Sequence, residues 1–238
     1  MLTGASIMGF LKNFLRPGSG DGGTHPTTGS FRSLTDEQLD EHVGVSRYGE
    51  FQLTDAVRPA WGLDVLPRTG YRHEWFVDQD SGARLPVLMA SITREKLFDL
   101  FISLLDPLGD VVDVVLETSH RKIDGGHTDL YREQIDMPVL QSVLYEFEEL
   151  LLNDGCCGIA VINAGRAMEV QFDEHKLLFV YGKKNTASEE ILRAANVPLL
   201  DDLQFINEAE HVHISSEDQQ HRFEQLCWRL GIDTQFEE

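Results

Sequence analysis

Residues Asp136 to Tyr181 read DMPVLQSVLYEFEELLLNDGCCGIAVINAGRAMEVQFDEHKLLFVY. Leu140, Val143, Leu144, Phe147, Leu150 and Leu151 recur at the spacing of one helical face, while Gln141, Glu146, Glu148 and Glu149 fall elsewhere. The spacing predicts a buried helix, with Asp136 as its N-cap and Pro138 in the first turn, where a missing N–H costs no intrahelical bond. Asn153 to Gly155 supply the exit. Ile159 to Ile162 then form an apolar run, Asn163-Ala164-Gly165 a turn, and Met168, Val170 and Phe172 alternate with Glu169, Gln171 and Asp173. That pattern predicts a β-hairpin with one face in water. A second turn at Asp173 to His175 leads into Leu177 to Tyr181, apolar throughout and so expected to be a central strand.

Working upstream, Tyr71 to Val77 and Leu85 to Ser91 read as two strands joined by the turn-rich Asp78 to Gly82. Thr93 caps a helix whose stripe is Leu97, Phe98, Phe101, Leu104 and Leu105. Pro107-Leu108-Gly109 ends it, and the run Val111, Val112, Val114, Val115, Leu116 is β-branched. Leu85 to Glu117 therefore resembles a strand, helix, strand crossover with parallel strands. Ser33-Leu34-Thr35-Asp36 has the form of a capping box opening a helix through His42. Val43 to Gly70 is irregular.

Downstream, Thr186 and Glu189 suggest a capped helix, His211 to Ile214 a short strand, and Phe223, Leu226, Cys227 and Leu230 the face of a last helix that stops at Gly231. These elements in order predict an α+β fold, a mixed β-sheet with helices packed on it.

Ahead of this domain, Ile7, Phe10, Leu11, Phe14 and Leu15 lie on one side of a short amphipathic helix within residues 1–16. Residues 17–30 are rich in Gly, Ser, Thr and Pro, the composition of a flexible linker. The expected division is a helix over 1–16, a tether over 17–30 and a single α+β domain over 31–238. The helix offers either a docking element or weak contact with a membrane surface.

The 238 residues carry 40 acidic and 20 basic side chains, a formal charge of −20. Such a field repels phosphate backbones, which argues against nucleic acid and favours a protein partner for the acidic surface. No apolar run reaches the length of a transmembrane segment, and no leader pattern opens the chain, so a cytoplasmic location is expected. Cys156, Cys157 and Cys227 form neither a disulfide framework nor a C-x-x-C pair.

Three constellations could carry chemistry. The stretch Thr118 to Asp136, read as a long loop leaving a parallel strand, holds His120, Asp124, His127 and Asp129, donor types sufficient for a divalent metal. Its plain alternative is a solvated loop held by Asx turns. His211 and His213 share one face of a strand and could begin a metal site, with His221 or Glu210 as a third ligand. Lys183, Lys184 and Asn185 precede a helix N-terminus and could hold an anion, although Glu189 and Glu190 compete for the same dipole.

There is no G-x-S-x-G elbow to mark a serine hydrolase. The composition and motifs point first to a non-catalytic protein-binding or regulatory module without cofactor. The alternative is a metal-assisted hydrolase built on the His/Asp loop, with a divalent metal as its cofactor.

Overall fold

The computed structural model describes residues 29–77, 82, 84–120 and 127–232, without the side chains of residues 32 and 33. Its elements in chain order are α1 (Asp36–Gly44), β1 (Arg47–Tyr48), β2 (Phe51–Gln52), β3 (Val57–Pro59), β4 (Gly70–Val77), β5 (Arg84–Ser91), α2 (Arg94–Leu105), β6 (Val111–Thr118) and β7 (Thr128–Asp136). They continue as α3 (Met137–Glu146), α4 (Glu148–Asn153), β8 (Cys157–Asn163), β9 (Met168–Phe172), β10 (Leu177–Gly182), α5 (Thr186–Ala194), β11 (His211–His213) and α6 (Glu217–Arg229).

The expected helix over 1–16 and all but the end of the 17–30 tether lie outside the described residues. Ser30 belongs to a 3₁₀ turn, its N–H donating to the Glu210 carboxylate at 2.9 and 3.0 Å.

Seven strands form one sheet in the order β4-β5-β10-β9-β8-β6-β7, and every ladder in it is antiparallel. The fold is α+β, but the sheet is not the mixed one expected. The only parallel contact among the described residues is an isolated bridge between Tyr71 and Leu199. Alternating directions along the sheet make β5 and β6 run the same way, so α2 does join two parallel strands. They are not neighbours, because the meander β8-β9-β10 inserts between them. Sequence adjacency favours pairing of successive strands, and the later meander overrides it here.

Thr128–Asp136 is an edge strand, not the end of a long loop. It alternates poorly because most of its side chains stand in solvent at the sheet margin, which hides the period-2 signal.

One face of the sheet carries Leu88, Val114, Leu116, Ile159, Val161, Val170, Phe172, Leu178 and Val180 against the helices. Phe101 of α2, Leu140 and Leu144 of α3 and Phe223 and Leu226 of α6 complete that core. Each such side chain fully buried contributes roughly 1.5 to 3 kcal/mol of transfer free energy. The predicted helix bends at Phe147, whose φ of −113° and ψ of 18° divide α3 from α4 while its ring stays buried.

The opposite face packs Phe76, Val87, Met89, Phe179 and Tyr181 against Leu203 and Phe205. Glu169 and Gln171 lie on β9 between these layers and are buried, so the expected wet face of the hairpin is dry. β10 sits between β5 and β9 with all six residues buried, the central strand its composition predicts. The first capping box is built by Thr35 with Gln38, not by Ser33.

Outside the main sheet, β11 pairs with β3 in a short ribbon, His211 opposite Pro59 and His213 opposite Val57. That ribbon positions the site.

Candidate metal centre

Side chains two apart on a strand share a face, which puts His211 and His213 side by side. Their Nε2 atoms lie 3.1 Å apart and point at each other. The third member of the cluster is His175, from the turn between β9 and β10. Asp173 builds that turn. Its Oδ1 accepts the Leu177 N–H at 2.8 Å, its carbonyl accepts the Lys176 N–H at 3.1 Å, and Lys176 takes a φ of +63°. The free carboxylate oxygen of Asp173 meets His175 Nδ1 at 2.8 Å. The ring centroids of the three histidines are 4.7, 4.8 and 5.0 Å apart, a nearly equilateral triangle.

The outer nitrogen of each ring has an acceptor. His211 Nδ1 meets the Ala209 carbonyl at 2.8 Å and His213 Nδ1 the Gly155 carbonyl at 2.7 Å. A carbonyl oxygen cannot donate, so both Nδ1 atoms carry the proton and both Nε2 atoms present a lone pair. Two lone pairs 3.1 Å apart repel unless a cation or a proton lies between them. Protonation is opposed: burial, then the neighbouring His175 and His211, hold His213 well below the ordinary imidazole value, and burial with His175 lowers His211. Burial also works against a charged His175, but the Asp173 and Glu174 carboxylates together outweigh it and its pKa is raised.

At a zinc–nitrogen distance of about 2.0 to 2.1 Å, the 3.1 Å separation corresponds to an angle of roughly 100° at a shared ion. The donor atoms of all three histidines lie within 4.8 Å of one another. Acceptors on the outer nitrogens, one of them a carboxylate, are the supporting contacts that fix tautomer and orientation in metal sites. Beside His175 runs a cleft walled by Phe51, Leu53, Val57, Leu97 and Ile206.

Gly155 belongs to the scaffold. Its N–H donates to the Ile214 carbonyl at 2.8 Å, while the Ile214 N–H donates to Ala56. A Cβ at this position would stand 2.3 Å from the Ala56 oxygen and 2.8 Å from the backbone N and O of Ile214. Gly155→Ala is therefore expected to cost about 1 to 3 kcal/mol through overpacking, read as a lowered urea midpoint. An unchanged midpoint would show that this crossing is loose.

The structure redistributes the residues singled out in the sequence. His211 and His213 lie side by side on β11, and the third histidine beside them is His175. His221 is exposed, and Glu210 is engaged with Ser30. The loop set does not gather: His120 turns to Asp154 at 2.7 Å, His127 Nδ1 lies 3.3 Å from Glu174, and Asp129 on β7 accepts from Tyr131 at 3.2 Å. Asp124 lies outside the described residues. Lys183 and Lys184 are exposed, whereas Asn185 is buried with its Nδ2 donating to the Val180 carbonyl at 3.3 Å.

Comparison of the chain with models of protein families, with curated proteins and with solved structures yields no match. No described helix is long and apolar enough to cross a membrane.

Proposed function

We propose that this protein binds a divalent transition-metal ion of the zinc class through Nε2 of His175, His211 and His213, and uses it in hydrolysis. The observation that carries this reading is the 3.1 Å approach of two imidazole nitrogens whose tautomers leave a lone pair on each. Imidazole donors suit zinc, copper, iron and nickel more than magnesium or calcium. Three protein ligands with a further position open is the pattern of hydrolytic rather than structural zinc.

When bound, the ion would supply Lewis acidity and a water acidified toward neutral pH. The chain's own contribution is to hold the rings in fixed tautomers through Asp173, Ala209 and Gly155 and to set an apolar cleft beside His175. The reading departs from the loop-based hydrolase expected from the sequence, since His127 and Asp129 are elsewhere. A basic protein partner rests on net charge alone and is not carried further.

Zinc titration into chelator-stripped His120→Ala protein, in which the separate His120, Asp154 and Cys156 cluster is disabled, followed by equilibrium dialysis and metal analysis, is expected to show micromolar or tighter binding that weakens at least a hundredfold when His211→Ala is added. Metal-dependent hydrolysis of an activated ester such as p-nitrophenyl acetate should vanish in the same variant. Binding that is equally strong without His211 would remove the proposal. Retained binding with no metal-dependent turnover would remove only its hydrolytic part.

A further inference from the structure

We infer that His120, Asp154 and Cys156 form a second metal site, taking a zinc-class ion through one nitrogen, one oxygen and one sulfur. The inference does not rest on the three-histidine reading, since none of its donors is shared. The three donor atoms lie within 4.8 Å of one another. Asp154 and Cys156 come from the turn between α4 and β8, and His120 follows β6, whose Thr118 is the register partner of Cys157.

Two of the donors are withdrawn from solvent, and Cys156 is half-buried. Asp154 is fully buried, and the His120 side chain is only 6% exposed. Asp154 Oδ2 meets His120 Nε2 at 2.7 Å, while Oδ1 accepts the Cys156 N–H at 2.9 Å. Ser119 and Ser215 hydroxyls lie beside the thiol, and Ser215 also neighbours Asp154. The Ser215 hydroxyl is buried against both the carboxylate and the thiol, so the cluster is polar throughout.

A nucleophilic thiol is the competing use of these residues. Burial raises the Cys156 pKa, and the Asp154 charge adds to it. Activated thiols need the opposite surroundings. In a metal site the same thiol would deprotonate on coordination, and the ion would take the place of the proton shared by His120 and Asp154. A thiolate with imidazole and carboxylate suits zinc and its neighbours and disfavours magnesium and calcium.

Cobalt(II) separates the two sites because only a thiolate ligand gives an intense near-ultraviolet charge-transfer band. Titration of the chelator-stripped full chain under reducing conditions is expected to produce that band, to lose it in Cys156→Ser and His120→Ala, and to keep it in Cys157→Ala. In His213→Ala the band should persist while the histidine-site equivalent of cobalt disappears. Absence of the band in folded wild-type protein, or its survival in Cys156→Ser, overturns the inference and leaves the three-histidine proposal standing. Loss of cobalt binding from His213→Ala alone leaves this one standing. Circular dichroism of each variant confirms that folding is retained.

Discussion

His213→Ala is expected to abolish the rise in melting temperature that zinc gives the wild-type protein through the histidine centre. A ligand at a thousandfold excess over its Kd stabilises the native state by about 4 kcal/mol. For a chain of this size each kcal/mol moves Tm by roughly 2 to 4 °C, so the wild-type shift is on the order of 10 °C. The variant keeps two imidazoles, one of them His211, whose Nε2 now faces empty space rather than a second lone pair.

The same substitution in metal-free protein should change stability little. It removes the His213 hydrogen bond to Gly155, worth about 1 kcal/mol, but it also relieves the repulsion between His211 and His213. A purely structural histidine would behave in reverse, with a large loss in the metal-free state and an unaltered zinc response. Thermal melts of both proteins with and without zinc, in His120→Ala backgrounds to silence the second site, distinguish the two cases.

The second large effect is expected at Glu169. This carboxyl is 3% exposed and accepts from Gln171 Nε2 at 2.9 Å, and its register partner on β10 is Tyr181, whose buried hydroxyl is unpaired. Burial, opposed by the Gln171 hydrogen bond and reinforced by Glu117, pushes its pKa up to about 8.

In the unfolded chain the group titrates near the ordinary glutamate value of about 4.3. Between the two values the native state holds a proton that the unfolded state has released. The associated stability is complete below the unfolded pKa and is lost as pH rises through the folded one. The loss is roughly 1.4 kcal/mol for each pH unit in that window. Glu169→Gln, neutral at every pH, should flatten this slope and be more stable than wild type at pH 8 by several kcal/mol. Urea unfolding at pH 5 and pH 8 checks it. Parallel pH profiles for the two proteins would mean that the carboxyl is ionised in its buried setting.

How much of this was legible in the residues varies with the kind of signal. The stripe from Leu140 to Leu151 and the unbroken apolar run at Leu177 to Tyr181 are buried because periodicity reports burial directly. Alternation at Met168 to Phe172 was misleading, since Glu169 and Gln171 alternate as a solvated face would, yet their face is covered. Strand order was out of reach because nothing local says that β8 to β10 enter between β5 and β6.

For the site, His211-Val212-His213 was visible through the two-residue period. His175 was not, because the 35 positions between it and His211 follow no linear rule. The available signal was a short turn between two buried strands holding a carboxylate two residues ahead of a histidine. Asp154 reads in the sequence only as part of the helix exit at Asn153 to Gly155, and its pairing with His120 depends on the antiparallel register of β6 and β8.

The β3–β11 ribbon joins residues 57–59 to 211–213 through only three register pairs. So short a two-stranded piece has little cohesion by itself in water, yet it fixes where two of the three imidazoles stand. An ion held jointly by that ribbon and by the turn ahead of β10 would act as a rivet between the periphery and the centre of the molecule. Fraying at the ribbon and escape of the ion would then be one event, and the lifetime of the bound metal would be set by how often that seam opens.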